Sequence, residues 1–277
     1  MTIETVFLHA ASETLEPNRG AAAYALGLAR SWQAHLKALV IELDMMPWSA
    51  SGRSIAADGR GHGEQRDGGT GTVANALRAA AQAQGVEALV ITDRSHIHST
   101  PEIAADHARL ADIVVAGVRD EGLLSERLVA ESLVFQSGRP VIAVSHDHGG
   151  TCGAERILVA WDFSRVAARA VADALPFLRR ASEVTLISFG DDKDFAASTD
   201  QDEVLAALRR RGVEARFQQT ERRGQEIGEA IHAAVRETRA DLLVMGGFGH
   251  SRFRDFVLGG ATKSILAAPP VPTLFSH

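Results

Sequence analysis

Short apolar runs alternate with helical patterns along the chain. The run Arg156–Ala160 lacks polar alternation, which is typical of a strand buried on both faces. Ser164 then offers an N-cap to an amphipathic pattern that extends through Leu178. The alternation continues to a last predicted strand at residues 271–275. Strands that alternate with helices predict a parallel sheet covered by helices on both faces.

The remaining elements of this half follow the same rules. Asp200 and Glu203 resemble a capping box, and Gly212 is a helix-ending signal, so a helix is expected between them. Pro176 lies inside the preceding helical pattern and predicts a kink or an early end there. The other predicted strands are 184–189, 213–218 and 242–245, and the other predicted helices are 226–239 and 262–267.

The two halves of the chain repeat each other. The segment ADIVVAG at 111–117 returns as ADLLVMG at 240–246, and GVEA at 85–88 recurs at 212–215. The openings and the Pro-initiated last strands also correspond, in the same order, and a polar segment at 146–151 separates the copies. Because the repeat unit has the length of a domain, we expect two tandem domains of one fold, residues 1–147 and 152–277.

One segment of the first half has no counterpart in the second. Residues 45–72 are rich in Gly, Ser, Arg and Asp and carry almost no apolar side chain after Trp48. We expect residues 50–70 to be mobile, because little apolar surface offsets the entropy of ordering them. The alternative is that Met45–Trp48 docks on a partner surface.

The segment that carries the chemistry is the glycine-containing loop from Gly246 to Thr262. It follows a buried strand and precedes a helix, which puts it at the carboxyl edge of the sheet, where ligands bind. Gly246 and Gly249 would let the backbone approach a phosphate closely. Gly259 and Gly260 would present amide groups at a helix N-terminus, and Thr262 would add a hydroxyl donor. The alternative is that the glycines only serve a tight turn and close packing.

The spacing Gly246-x2-Gly249-x9-Gly259 resembles the nucleotide-binding signature of the universal stress protein family, Gly-x2-Gly-x9-Gly-(Ser/Thr). Residues 156–164 (RILVAWDFS) resemble the family's first strand and its Asp-x-Ser turn. The resemblance covers the second half closely and the first half weakly, so the chain resembles a tandem-type universal stress protein. One departure is that Gly260 stands where the signature has Ser or Thr, with Thr262 two residues later.

The resemblance implies the fold and the site. Each half would be an open sheet of five parallel strands in the order 3-2-1-4-5 with helices on both faces. Asp162 would lie beside the nucleoside of an ATP molecule, with or without Mg²⁺, and the glycine loop would hold ribose and phosphates. His250 stands in that loop and either faces solvent or contacts phosphate. In the first half Ala10 or Ala11 occupies the place of Asp162 and no second glycine follows Gly117 at the required spacing, which predicts a degenerate scaffold domain.

Charge and composition narrow the range of partners. The net charge is −6 and the isoelectric point about 6.0, so no basic surface is expected to attract nucleic acid or an anionic membrane. Residues 1–150 carry 12 basic and 18 acidic side chains, whereas residues 151–277 carry 17 of each, so an anionic nucleotide is repelled less by the second half. A single cysteine, Cys152, forms no internal disulfide, and no leader or membrane-spanning run is visible, which predicts a cytoplasmic protein.

These observations favour a stress-response protein that senses ATP in its second half without catalysis. His96, His98 and His107 are interpreted as surface residues, and neither a metal site nor a nucleophile elbow is predicted. A slow ATPase is one alternative, but it needs a metal-binding carboxylate, and Asp255 is the one acidic residue within the loop. The other alternative is a scaffold that binds no nucleotide. A homodimer and an unknown protein partner are left open.

Overall fold

The computed structural model describes residues 2–11, 15–43, 69–95, 100–119, 125–189, 200–222, 224–247 and 260–277. The strands in these ranges are β1 (Thr5–Ala11), β2 (His35–Leu43), β3 (Ala88–Ser95), β4 (Ile113–Val118), β5 (Val141–Ser145), β6 (Arg156–Ala160), β7 (Glu183–Phe189), β8 (Arg216–Thr220), β9 (Leu242–Gly246) and β10 (Thr273–Ser276). The helices are α1 (Gly20–Trp32), α2 (Gly69–Ala83), α3 (Thr100–Ala108), α4 (Glu126–Gln136), α5 (Arg165–Leu178), α6 (Gln201–Arg210), α7 (Ile227–Thr238) and α8 (Gly260–Ala267).

The strands form a single sheet in the order β3-β2-β1-β4-β5-β10-β9-β6-β7-β8. All neighbours within a half are parallel, and each half has the order 3-2-1-4-5 when its strands are numbered from one. The predicted α/β fold class and the strand order within each half are therefore confirmed, while the two five-stranded sheets that were expected are joined into one sheet of ten strands. The halves meet through antiparallel pairing of β5 with β10, where Phe275 lies opposite Val141. The last strands thus cover each other's open edges, and each strand stays in its own half.

Two apolar layers enclose the sheet. Successive strand residues alternate between them, so Val6 and Leu8 belong to one cluster and Phe7 to the other. The first cluster receives the buried faces of α1, α2, α5 and α6, and the second those of α3, α4, α7 and α8. Because both faces are covered, the inner strands consist of continuous apolar runs, as expected for β4, β6 and β9.

One predicted strand begins later than expected, because the preceding helix end includes its first residues. The strand expected at residues 213–218 begins three residues later, at Arg216. Gly212 has a φ of +79°, and the N–H of Val213 donates to the carbonyl of Leu208 at 3.1 Å. Val213 is buried against the end of α6 and so belongs to the helix terminus rather than to the strand. The Asp200 cap is confirmed, since its carboxylate accepts from the N–H of Glu203 at 2.8 Å.

The remaining differences lie at element ends. Pro176 stands inside α5, which continues to Leu178 rather than ending before the proline. Strand β10 begins at Thr273, not at Val271, because Pro270 and Pro272 flank its start and lack an N–H to donate. Helix α8 begins two residues earlier than expected, and residues 69–72 of the predicted unstructured segment form the start of α2. The rest of that segment, with Met45–Trp48, and both His96 and His98 lie outside the described residues.

The segment between β5 and β6 is attached to the N-terminal end of α1. The N–H of Gly20 donates to the carbonyl of His148 at 2.9 Å, and Arg19 forms an ion pair with Asp147 at 3.0 Å. Farther along α1, the guanidinium of Arg180 in the second half lies 3.4 Å from the ring centre of Trp32. Helix α1 therefore contacts both the connecting segment and the second half, while the domain limits 1–147 and 152–277 stay a prediction.

Candidate functional site

The carboxyl ends of β6 and β9 meet in the second half. The two strands are parallel neighbours, with Ala160 opposite Met245, so Asp162 and Gly246 follow at the same edge of the sheet. Helix α5 leads from β6 to β7 and α8 leads from β9 to β10, in opposite directions along the sheet. This reversal creates a crevice outside the strand ends, which is where open α/β sheets bind their ligands.

Asp162 organises the turn that opens this crevice. Its Oδ1 accepts a hydrogen bond from the N–H of Ser164 at 3.0 Å, and Phe163 between them has a left-handed φ of +58°. The Ser164 hydroxyl in turn accepts from the N–H of Ala167 at 3.1 Å, which confirms it as the N-cap of α5. The Asp162 side chain is half-buried and so remains partly open to the crevice.

Gly246 is required by packing. A Cβ at this position would lie 2.7 Å from the backbone carbon of Val166 and 2.8 Å from the backbone nitrogen of Ala167. The first turn of α5 therefore lies directly on the end of β9, and no side chain fits between them. This is the close-packing role considered as the alternative for the loop glycines, and it holds for Gly246 whether or not a phosphate approaches.

The start of α8 is not covered by any other described element. Gly260 is its first residue and is exposed, and a Cβ there would meet no atom of the described residues within 4 Å. The first turn contains no acidic residue. Thr262 is only 4% exposed, so its hydroxyl lies inside the protein and not on the open surface. The other predicted site residues, Gly249, His250 and Gly259, lie outside the described residues.

An aromatic cluster beside Asp162 was not expected from the sequence. The rings of Trp161 and Phe163 are 5.8 Å apart, and Phe163 lies 6.3 Å from Phe217. All three side chains are half-buried. The indole nitrogen of Trp161 is buried and has no hydrogen-bond partner in the described part of the chain. The two aromatic residues on either side of Asp162 are the sequence signal that could have indicated the cluster.

The equivalent edge of the first half is built differently. Strand β1 pairs with β4 so that His9 lies opposite Ala116, which puts Ala11 at the place of Asp162 and Gly117 at the place of Gly246. A Cβ on Gly117 would lie 2.9 Å from Oε2 of Glu126. A carboxylate therefore stands at this edge of the first half, and the assignment of the first half as a degenerate domain stays a prediction.

Two features are absent from the ranges that the structure describes. Within these ranges, no group of three or more His, Cys, Asp or Glu side chains is arranged to hold a metal ion. No helix of the described chain is long and apolar enough to cross a membrane.

An open parallel α/β sheet with a glycine-containing loop at its switch point defines the class of doubly wound, ligand-binding folds. Within that class, residues 153–277 match the model of the universal stress protein family. The chain is also 26% identical, over 230 residues, to universal stress proteins of Mycobacterium bovis and Mycobacterium tuberculosis, an alignment that covers 77% of this chain and 78% of theirs. The second half of the chain therefore matches the universal stress protein family, and the chain is similar over 77% of its length to curated universal stress proteins.

Solved structures share the whole architecture. A universal stress protein from Archaeoglobus fulgidus superimposes with a TM-score of 0.70 at 20% identity, over 99% of this chain and 96% of that one. A functionally unknown protein from Pseudomonas aeruginosa gives a TM-score of 0.60 at 13% identity, over 99% and 92% of the two chains. Similarity at this level of identity supports the fold of both halves together.

Proposed function

We propose that this chain is a universal stress protein and that it binds one adenine nucleotide, ATP with or without Mg²⁺, in the crevice between β6 and β9. Occupancy of the site would change the protein's shape or its choice of partner, as expected for a stress-response sensor. One observation supports the proposal: Asp162 and the end of β9 lie at the same edge of the sheet, at the switch point. The glycine-containing loop leads from this end of β9 to α8.

The phosphates fit the start of α8. The N–H groups of a helix's first turn have no acceptor within the helix, and the helix dipole adds positive potential there. Among the described residues nothing lies within 4 Å of a Cβ on Gly260, and no acidic side chain of the first turn opposes an anion. We assign Gly249 and Gly259 to the phosphate site because they are glycines of the signature, and His250 because it lies next to Gly249 in the loop. Since the Thr262 side chain is buried, we assign its part to the backbone rather than to the hydroxyl.

The nucleoside fits the other side of the crevice. The half-buried rings of Trp161, Phe163 and Phe217 offer a planar base an apolar surface. The indole N–H of Trp161 lacks an acceptor in the described ranges, and a base nitrogen would provide one. Asp162 would accept hydrogen bonds from ribose hydroxyls or from the exocyclic amino group of the base.

Binding without turnover is the favoured form of the proposal. Phosphoryl transfer needs a positioned metal and a positioned nucleophile. The Oδ1 of Asp162 already accepts the N–H of Ser164 in the turn after β6, so this oxygen is engaged in holding the turn. A slow ATPase is the alternative, and single-turnover hydrolysis with purified protein distinguishes the two.

Calorimetric titration with ATP tests the proposal. We expect the full-length protein to bind one ATP, and Gly249→Val to lose binding because a branched side chain keeps phosphate away from the backbone. Gly71→Val is the control, since Gly71 is exposed on α2 in the first half and a Cβ there meets nothing within 4 Å. If the wild-type protein gives no binding heat at about 1 mM ATP, which corresponds to roughly −4 kcal/mol, the scaffold function replaces this proposal.

A further inference from the structure

A small cavity lies at the carboxyl edge of the first half, between the starts of α1 and α4. Residues from β1, the segment before α1, β4, α4 and the segment after β5 line it, among them His9, Glu16, Arg19, Gly117, Glu126 and His146. The cavity occupies the switch point between β1 and β4, where an open α/β sheet binds ligands. The nucleotide proposal does not use this cavity, because it belongs to the other half of the chain.

His9 contributes an unsatisfied polar atom to this cavity. The residue is 3% exposed, and its Nε2 has no hydrogen-bond partner in the described part of the chain. Burial lowers the pKa of His9 to about 4, so the imidazole is neutral at neutral pH and one ring nitrogen carries a lone pair. A buried polar atom without a partner costs about 1–3 kcal/mol, which a ligand able to hydrogen-bond there would recover.

The charges around the cavity favour a cation. Glu126 is 8% exposed, and its Oε2 lies beside Gly117, at the place that corresponds to the glycine loop of the second half. Glu16 adds a second carboxylate, and Nε2 of His146 lies 3.9 Å from it. Arg19, which also lines the cavity, pairs with Asp147 at 3.0 Å. An anionic ligand such as a phosphate would therefore meet a carboxylate here.

The size of the cavity and the groups that line it indicate which kind of cation would fit. No group of three or more His, Cys, Asp or Glu within the described ranges is arranged to hold a metal ion. The cavity volume is about 30 Å³. One water molecule needs roughly 10–15 Å³ by the same measure, so the cavity admits a group of about two heavy atoms. An ammonium group has this size, and its three N–H donors match a carboxylate and a neutral imidazole nitrogen.

We propose that this cavity binds a small molecule with a primary ammonium group, which donates hydrogen bonds to Nε2 of His9 and to the carboxylate of Glu126. The lone pair must then be on Nε2, and the ring proton on Nδ1. The site is distinct from the nucleotide crevice in its half of the chain, its charge and its ligand. Its occupancy would tie β1 to the start of α4.

Nitrogen-detected NMR of the histidine rings in the full-length protein tests this proposal, with ethylammonium chloride as the probe. We expect a saturable shift of the His9 Nε2 resonance, from a ring protonated on Nδ1. Tetramethylammonium chloride at equal ionic strength carries the same charge but has no N–H donor, so it should give no such shift. Glu126→Gln should weaken ethylammonium binding at least about tenfold, because it removes the charge of the acceptor.

The matched control is Glu237→Gln, which removes one exposed carboxylate from α7 in the second half and should bind ethylammonium as the wild-type protein does. The proposal is overturned by any of three results. These are a ring protonated on Nε2, the absence of a saturable shift up to about 100 mM ethylammonium, or equal binding by Glu126→Gln and Glu237→Gln. The last result would mean that the shift of the His9 Nε2 resonance is a general effect of salt on the protein.

Discussion

The buried His9 makes the stability of the protein depend on pH in a defined direction. Its pKa falls from 6.5 to about 4 in the folded state, because the charged imidazole loses its hydration on burial. Between these two values the unfolded chain binds more protons than the folded one. The contribution of His9 is therefore fully present above about pH 6.5 and is lost as the pH falls toward 4.

The size of the effect follows from the same two values. The gap between 6.5 and about 4, at 1.36 kcal/mol per pKa unit, corresponds to about 3 kcal/mol of unfolding free energy. Other groups also titrate in this range, so the effect of His9 has to be read as a difference between two proteins. His9→Leu removes the titrating group and keeps an apolar side chain of similar volume at the buried position.

Urea unfolding at about pH 7 and about pH 4 measures this difference. The wild-type protein should lose about 3 kcal/mol more than His9→Leu on acidification. His35→Asn is the control, because the His35 side chain is 61% exposed, and it should retain the wild-type pH dependence. Equal losses in the wild-type protein and in His9→Leu would show that His9 is not buried as described.

Three further predictions address packing. Gly246→Ala should lower the unfolding free energy by about 1–3 kcal/mol, because its Cβ meets the α5 backbone, while Gly260→Ala should change it by less than about 1 kcal/mol; equal midpoints in urea would contradict this. Burial raises the pKa of Cys152 to about 11, so a disulfide reagent at about pH 8 should label the native thiol about 100-fold more slowly than the unfolded one, and equal rates would contradict it. Arg180→Ala should lower the unfolding free energy by about 0.5–1 kcal/mol through loss of its contact with Trp32, and Arg180→Lys should keep part of that contact, which urea titrations of both variants will measure.

The sequence predicted the fold well because its signals are local and repeated. Buried parallel strands such as β6 appear as continuous apolar runs, and the Asp200 cap and the Gly212 stop act within one helical turn. At Val213 the helix-ending signal of Gly212 overlapped with the start of a strand pattern, and the structure forms the helix end there. The pairing of β5 with β10 could not be derived in this way, because an edge-to-edge contact depends on which open edges face each other in space.

The site was predictable only in part. The spacing of the loop glycines and the Asp162 turn are sequence patterns, and the structure puts Asp162 and the end of β9 at one edge. The packing need for Gly246 and the burial of Thr262 depend on how α5 and α8 lie on the sheet, which no periodicity reveals. The cavity beside His9 was missed because its residues are far apart in sequence and match no motif.

The most direct test of ATP binding at the crevice between β6 and β9 is a titration of ATP into the Gly260→Asp variant. An aspartate in the first turn suits a helix N-terminus, so the fold and its melting temperature should be retained or improved. The same carboxylate would face phosphates held by α8, and we expect ATP affinity to fall at least about tenfold. Gly71→Asp is the matched control, since it adds the same charge at the exposed Gly71 of α2 in the first half and should bind ATP as the wild-type protein does. Equal ATP affinity of Gly260→Asp and Gly71→Asp would contradict the placement of a nucleotide at this crevice.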